Sequence, residues 1–356
     1  MAGSTLDLEQ LVSPDNLASQ ISNQYNEWAS FRSQWIEEKK ELRNYIYATD
    51  TRTTSNNKLP WSNSTTTPKL CQTYDNLKAN YTSALFPNSK WLRWEGDDGE
   101  AVTQAKTRII QAYMENKLRQ SKFETEAEKI VDDFILFGNC FATVDFEEEY
   151  NVVGEEVIPG YIGPKIRRIS PYDIVFNPVA AEFKDSPKII RSIKTLGEAK
   201  SMMDEATFNK MLNSRTNVAG STDVDKADGF VADGFSNIQH YYGSNYVEFL
   251  TFYGDIYDVH SDTFKSRRKI TIVDRAYILS DEPIASWLGD FAVFHAGWRN
   301  RPDNLYAMGP LDNLVGLQYR IDHLENLKAD VFDQIALPIL KVRGDVEAFE
   351  YAPGRS

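Results

Sequence analysis

The stretch "LDNLVGLQYRIDHLENLKADVFDQIALP", residues 311–338, decides the fold that we predict for this chain. Its apolar residues recur every three or four positions with a gap at Lys328, which predicts an amphipathic helix with a narrow stripe. The stripe consists of Leu314, Leu317, Ile321, Leu324, Val331 and Ile335. At about 1.5 Å per residue this helix would be roughly 39 Å long, and Pro338 would end it. An isolated helix gains little stability in water, so the stripe requires either the core of a globular domain or a separate partner surface.

The composition of the chain is that of a folded protein. Of its 356 residues, 42% are hydrophobic and 12% are aromatic, which fits two or three ordinary domains. We find no signal-peptide pattern and no apolar run of membrane-spanning length, so we expect a soluble, unprocessed protein that does not bind membranes. The two cysteines, Cys71 and Cys140, have no CxxC partner and no companion histidines, and we expect both to be buried thiols.

The net charge restricts the function classes. There are 52 acidic residues and 39 basic residues, which give a net charge of −13. A protein that grips nucleic acid through its phosphates usually has a basic surface. We therefore exclude tight, sequence-independent DNA binding, whereas an acidic surface suits a protein past which DNA must slide without sticking.

Hydrophobic periodicity predicts an α+β fold. Helices are expected at residues 14–47, 70–85, 99–137, 197–212 and 311–337, and Gly138 is a plausible helix end. Strands are expected as a hairpin over 139–170, and then at 170–178, 186–195, 245–259 and 268–279. Two polar tracts interrupt the pattern: a Ser-, Thr- and Asn-rich arm before Leu70, and a Gly- and Asp-rich insert at about 213–240 that we expect to be mobile.

No motif in the sequence points to catalysis. The four histidines lie outside HExxH and are not next to a GxSxG nucleophile, and no phosphate-binding glycine loop is present. The pairs Glu37/Lys39 and Glu198/Lys200 have the spacing of some metal nucleases, but residues two apart do not face the same way on a helix. We therefore predict no enzyme activity, no cofactor, and no catalytic or metal-binding residue.

The order of these elements resembles the portal (head-to-tail connector) proteins of tailed bacteriophages, particularly those of short-tailed phages. The likeness covers about residues 14–356. It is carried by "ALFPNSKWLRW" (84–94), "KFETEAEKIVDDFILFGNCFATVDF" (122–146), "RRISPYDIVFNPVAAEFKDSPKIIRSIKT" (167–195) and "YAMGPLDNLVGLQYRIDHLENLKADVFDQIALPIL" (306–340). None of these pieces is diagnostic by itself, and the third is the strongest.

The resemblance implies a portal-like division of the chain into four parts. These are an N-terminal helix and polar arm (1–69), a wing of helices and mixed sheet (70–310), a stem helix (311–337) and the start of a clip (338–356). Portal proteins normally continue into the rest of the clip, a second stem helix and a crown. This sequence ends before them, so we expect a truncated chain, a separate C-terminal partner, or a likeness that fails at this end.

The resemblance also implies a structural function in the virion, at the portal vertex of the capsid. The protein would form a ring of twelve subunits through which double-stranded DNA is packaged and ejected, after assembly in the host cytoplasm. Its partners would be further copies of itself, the terminase large subunit, the tail adaptor, the major capsid protein, and scaffold or internal proteins.

Roles for individual residues follow from this resemblance. The stripe would pack against wing-side helices and against the same helix of adjacent subunits. The candidate channel-facing residues are Asp312, Arg320, Asp322, Glu325, Lys328, Asp330 and Asp333, whose charges sum to −3 (five acids, two bases). Lys341 and Arg343 are the candidate clip contacts to terminase and adaptor.

Two other hypotheses remain open from the sequence. The chain could be another phage structural or scaffold-binding protein without a DNA channel, in which case it would form no closed ring. It could also be a metal-dependent nuclease, which would show turnover that requires a divalent cation and a carboxylate.

Overall fold

The computed structural model describes most of the chain, with gaps. The described residues are 5–8, 14–47, 63, 65–88, 91–94, 101–153, 156–178, 180, 182–218, 240–241, 243–258, 262–284, 292–302 and 304–336. Most of the expected mobile insert, at 219–239, and the whole clip segment lie outside these ranges. The first residues of that insert, up to Val218, belong to a helix.

The described residues form an α+β fold, as the sequence predicted. The helices are α1 Pro14–Phe31, α2 Ser33–Tyr47, α3 Lys69–Leu85, α4 Ala101–Gln120, α5 Phe123–Phe137, α6 Leu196–Met202, α7 Glu205–Val218 and α8 Val315–Ala336. A single 3-10 turn, Asp312–Leu314, precedes α8. The strands are β1 Thr5–Leu8, β2 Asn139–Val153, β3 Glu156–Ile169, β4 Ile174–Phe176, β5 Lys188–Thr195, β6 Tyr246–Asp258, β7 Thr263–Val273, β8 Tyr277–Pro283, β9 Val293–Gly297, β10 Arg299–Arg301 and β11 Asn304–Met308.

Two sheets form the centre of the molecule. The larger has the order β4-β5-β6-β7-β8, and β1 runs parallel to the end of β6. The smaller has the order β3-β2-β9 and contains the predicted hairpin, in which β2 and β3 pair from Phe141–Ile169 out to Val153–Glu156. β10 and β11 form a separate two-stranded ribbon.

Helix α1 covers one face of the large sheet. Its buried side chains include Leu17, Ile21, Tyr25 and Trp28, which pack with β-branched and aromatic residues of the strands. A second core joins α2, α3 and α5 to the beginning of α8 through Leu311, which is fully buried. The division at residue 69 stays a prediction, although α1 shares its core with strands that we assigned to the wing.

The predicted helix over 14–47 is broken into α1 and α2 at Arg32. The guanidinium of Arg32 is buried and donates to the backbone carbonyl oxygens of Pro171, Tyr172 and Ile174. These contacts tie the junction of α1 and α2 to the loop before β4. Phe31, which we had included in the apolar face, is 59% exposed.

Two further predicted elements are also divided. The helical block at 99–137 breaks after Ser121, where Lys122 adopts a left-handed conformation with φ 55°. The predicted strand at 268–279 becomes β7 and β8, joined by a turn in which Asp274 and Arg275 have positive φ. This turn is held by two buried ion pairs, Arg215–Asp274 at 2.6 Å and Arg275–Glu248 at 2.7 Å. Charged residues in the turn had looked like ordinary strand residues in the sequence.

Candidate functional site

The base of α8 is fixed to the body of the molecule by a buried ion pair. Lys39 on α2 is 2% exposed and pairs with the Asp312 carboxylate in the 3-10 turn. Burial lowers the pKa of Lys39, and the neighbouring Asp312 charge opposes that shift. The other oxygen of Asp312 accepts a hydrogen bond from the Gly309 amide at 2.7 Å. Asp312 therefore closes the turn that begins the helix.

Two glycines allow the backbone to cross closely at this base. Gly138 ends α5 with φ 69°, in the left-handed region that favours glycine. A Cβ atom at Gly138 would lie 2.4 Å from the Gly309 backbone nitrogen, which is a severe clash. The helix end that we predicted at Gly138 therefore also sets the position from which α8 leaves the body.

One face of α8 is covered by an extended segment of the same chain. We call this segment, residues 63 and 65–70, the arm; its last two residues, Lys69 and Leu70, form the start of α3. The side chains of α8 hydrogen-bond mainly to its backbone: Asp330 Oδ1 accepts from Asn63 N (2.6 Å), Asn326 Oδ1 from Thr65 N (2.9 Å), Asp322 Oδ1 from Thr67 N (2.8 Å), and Gln318 Oε1 from Leu70 N (3.2 Å). In return, Asn326 Nδ2 donates to Thr65 O and Gln318 Nε2 donates to Thr67 O.

These contacts form a regular ladder because two periods match. Along α8, the residues Gln318, Asp322, Asn326 and Asp330 are four apart, which is a rise of about 6 Å per step. Along an extended chain, two residues span about 6.6 Å. Asp330, Asn326 and Asp322 therefore meet every second residue of the arm, and the arm runs antiparallel to α8. Gln318 then reaches the Leu70 amide, three residues beyond Thr67 and already within α3. We call these four α8 residues the ladder.

The ladder corrects part of the predicted channel surface. Asp322 is fully buried, and Asp330 and Asp333 accept hydrogen bonds from Asn63 of the arm. Asp312 pairs with Lys39. All four acids have partners in the protein's own chain, and Asp322 and Asp330 accept from backbone N–H groups of the arm, which need acceptors once they are packed against a helix. Of the predicted set, Arg320, Glu325, Lys328 and Asp333 stay exposed, with Glu325 and Lys328 3.9 Å apart.

The apolar stripe is mostly exposed. Leu314 is partly buried in the core around α2, α3 and α5, and Ile321 is half-buried. The other stripe residues are exposed by 51–69%: Leu317 59%, Leu324 51%, Val331 52% and Ile335 69%. Leu327 and Phe332 add to the same surface with exposures of 44% and 58%. The described residues of the same chain do not cover the stripe beyond Ile321, so its burial against wing-side helices and adjacent subunits stays a prediction.

Ladder and stripe lie on opposite sides of α8. At about 100° per residue, Leu324, Val331 and Ile335 lie roughly 180–220° around the helix from Asp322. Helix α8 thus buries its polar side and exposes its apolar side, which is the reverse of an ordinary surface helix.

The remaining predicted site residues lie elsewhere. Lys341 and Arg343 are outside the described residues, so their clip role stays a prediction. Glu198 belongs to the capping box of Thr195 at the start of α6, and Lys39 is the buried partner of Asp312. The two ExK pairs therefore have structural roles. Among the described residues, no group of three or more His, Cys, Asp or Glu is arranged to hold a metal ion.

Sequence reasoning missed Gln318 and Asn326. We had followed the apolar spacing, whereas the polar residues at 318, 322, 326 and 330 repeat every four positions with equal regularity. That repeat, together with a Ser- and Thr-rich tract that could lie extended, was the available signal. It does not by itself identify the arm as the occupant of the polar face.

Comparisons with known proteins agree with this architecture. Residues 18–159 match the model of a family described as bacteriophage head to tail connecting protein, while none of the curated proteins matches the chain. The matched segment runs from α1 through the β2–β3 hairpin. In the described part of the chain, no helix has both the length and the apolar character needed to cross a membrane. This match over residues 18–159 confirms the predicted resemblance to bacteriophage head-to-tail connector proteins.

Proposed function

We propose that this chain is the subunit of a portal ring, through which double-stranded DNA enters and leaves the phage head. The observation that carries the proposal is the reversed orientation of α8, with its polar ladder buried and its apolar stripe exposed. The ring would contain twelve copies at the unique capsid vertex. Terminase and the tail adaptor would dock at the clip segment, with Lys341 and Arg343 as contacts, and the major capsid protein and scaffold or internal proteins would bind around it.

The exposed stripe supports assembly on energetic grounds. Burying one Leu, Val, Ile or Phe side chain contributes about 1.5–3 kcal/mol. A contiguous apolar surface of this kind on a soluble protein usually marks an interaction site. Because the arm occupies the opposite side of α8, the helix cannot simply rotate to bury its stripe on its own body. A neighbouring subunit would supply the missing cover.

The charge distribution supports a channel that does not bind DNA tightly. The whole chain carries −13 charges, and like charges repel DNA without releasing counterions. Of the candidate channel residues, Arg320, Glu325, Lys328 and Asp333 are exposed to solvent. We keep these four as the residues that would face DNA. The carboxylates of the ladder would lie behind these residues and would act on DNA through their charge.

The experiment compares two aspartate substitutions at neighbouring exposed positions of α8. Leu324→Asp places a charge in the stripe, whereas His323→Asp places the same charge about 100° away, outside the stripe. Both residues are exposed, so both variants should fold normally. We expect wild type and His323→Asp to form closed rings by negative-stain electron microscopy, and Leu324→Asp to lose at least nine tenths of them.

Solution mass gives the second measurement. Wild-type protein should sediment as a multiple of the 40.6 kDa chain, with Leu324→Asp largely at the monomer mass. A Leu324→Asp variant that forms rings as well as wild type would contradict the role of the stripe. A wild-type chain that stays monomeric, also when it is co-expressed with any chain encoded next to it, would overturn the portal proposal.

A further inference from the structure

Helix α4 is a second helix that the described residues leave largely uncovered. None of its described side chains, from Thr103 to Gln120, is buried. Ile109 is 71% exposed, Ile110 49% and Tyr113 57%. Near the C-terminal end of α4, Lys117 donates to the Ile162 carbonyl oxygen at 2.7 Å. The described residues cover little of the N-terminal half, and a helix with few tertiary contacts is marginal in water.

Four exposed apolar residues of α4 lie on one side, whereas Ile110 lies about 100° around the helix from Ile109. Ala105, Ile109, Ala112 and Tyr113 follow the three-four spacing of a single helix face. Two of them are alanines, which allow another helix to approach closely. At about 1.5 Å per residue, the 20 residues of α4 and the 22 residues of α8 have matching lengths of roughly 30 and 33 Å.

The two helices also carry opposite charge. Helix α4 has Lys106, Arg108, Lys117 and Arg119 against Glu115, which sum to +3. Helix α8 has Arg320 and Lys328 against Asp322, Glu325, Asp330 and Asp333, which sum to −2. Three of these acids, Asp322, Asp330 and Asp333, contact the arm. Their attraction to the basic residues of α4 would therefore act across about one helix diameter, which is close to the Debye length at physiological salt. In a chain with 13 excess negative charges, α4 is a basic helix with an open apolar face.

Ring symmetry requires two different surfaces on each subunit. A closed ring of more than two copies is built from head-to-tail contacts, in which one patch binds a second, complementary patch on the next copy. The stripe of α8 supplies one patch. From the exposed apolar faces, the matched lengths and the opposite charges, we propose that α4 is the other, and that α8 of one copy packs along the Ala105–Tyr113 face of α4 in the next. This proposal rests on the proposed ring and names its interface.

The test uses aspartate substitutions on α4. Ile109→Asp places a charge in the proposed contact, and Gln104→Asp places one about 140° away on the opposite, exposed side. Circular dichroism and thermal melting should show both variants folded like wild type, because both side chains are exposed. We expect Gln104→Asp to assemble normally and Ile109→Asp to lose at least nine tenths of the assembled mass in sedimentation.

A mixing experiment then tests the pairing itself. Ile109→Asp retains an intact α8, and Leu324→Asp retains an intact α4, so one good contact can form between the two variants. Each alone should stay a monomer, whereas an equimolar mixture, trapped with a lysine cross-linker, should yield a 1:1 complex of twice 40.6 kDa. Assembly of Ile109→Asp at the wild-type level, or a mixture that yields only monomers, would overturn this inference. A wild-type chain that does not assemble would instead overturn the proposed function.

Discussion

Helices α1 and α8 have similar apolar spacing in the sequence but opposite surroundings in the structure. Along α1, Leu17, Ile21, Tyr25 and Trp28 are at most 5% exposed and lie on the large sheet. Along α8, the stripe from Leu324 onward is exposed, and the buried residues are Gln318, Asp322 and Asn326. The same three-four pattern therefore marks a buried apolar face in α1 and an exposed apolar face in α8.

The difference shows what hydrophobic periodicity can predict. The spacing identifies which side of a helix is apolar, because 3.6 residues make one turn. It does not say which molecule covers that side. For α1 the cover is the sheet of the same chain. For α8 the polar side has its partner within the chain, and the described residues leave the apolar side beyond Ile321 uncovered.

The largest expected effect separates the two helices in a single subunit. Ile21→Ala should lower the free energy of unfolding by about 2–5 kcal/mol, because it leaves a cavity in a core where Ile21 is fully buried. Ile335→Ala should change it by less than about 0.5 kcal/mol, since Ile335 is 69% exposed. Urea denaturation of the dilute, monomeric protein measures both. Equal losses for the two variants would mean that α8 is covered within the subunit.

The next effect concerns the body of the molecule at acid pH. His295 stacks on Phe141 and makes a tilted contact with Phe183, with both centroid distances 4.9 Å, and its Nε2 lies 2.9 Å from Asn139 Oδ1. Asn139 Nδ2 already donates to two carbonyl oxygens, so its Oδ1 is an acceptor and His295 Nε2 carries the proton. Burial, with a smaller contribution from Lys188, lowers the pKa of His295 from 6.5 to about 4.

This shift predicts a pH dependence of stability. Between about pH 6.5 and pH 4 the unfolded chain binds a proton at His295 and the folded chain does not, so stability falls as the pH falls. At about 1.4 kcal/mol per pKa unit, the loss reaches at most about 3 kcal/mol near pH 4 and does not grow below it. Urea denaturation of His295→Gln, which keeps a donor for Asn139 but does not titrate, should lack this component. An identical pH profile in the variant would show that His295 is charged in the folded protein.

The smallest effect tests the ladder. Asn326→Leu removes both hydrogen bonds to Thr65 and leaves its N–H and C=O groups against an apolar side chain, which should cost about 1–3 kcal/mol. Hydrogen exchange at the amides of Thr65 and Thr67 should become at least tenfold faster. Glu325→Leu, at the neighbouring exposed position, is the control and should leave exchange of the arm unchanged. Unchanged protection in Asn326→Leu would show that other contacts hold the arm.

Much of the fold could be predicted from the sequence because the deciding signals are local. The β2–β3 hairpin and the helix end at Gly138 follow from alternation and from the conformational freedom of glycine. The break at Arg32 could not be predicted, since the carbonyl oxygens that bind its guanidinium lie 139 or more residues away in the sequence. The acids of α8 were assigned to the channel because their arm partners, more than 250 residues away, are equally invisible to periodicity.

The antiparallel course of the arm has a mechanical consequence. A force along the axis of α8 would pull on all rungs between Gln318 and Asp330 at the same time, because each hydrogen bond runs across that axis. A sideways force at Asn63 would instead open the rungs one after another, beginning at Asp330. The arm therefore resists sliding along α8 much more than peeling away from it.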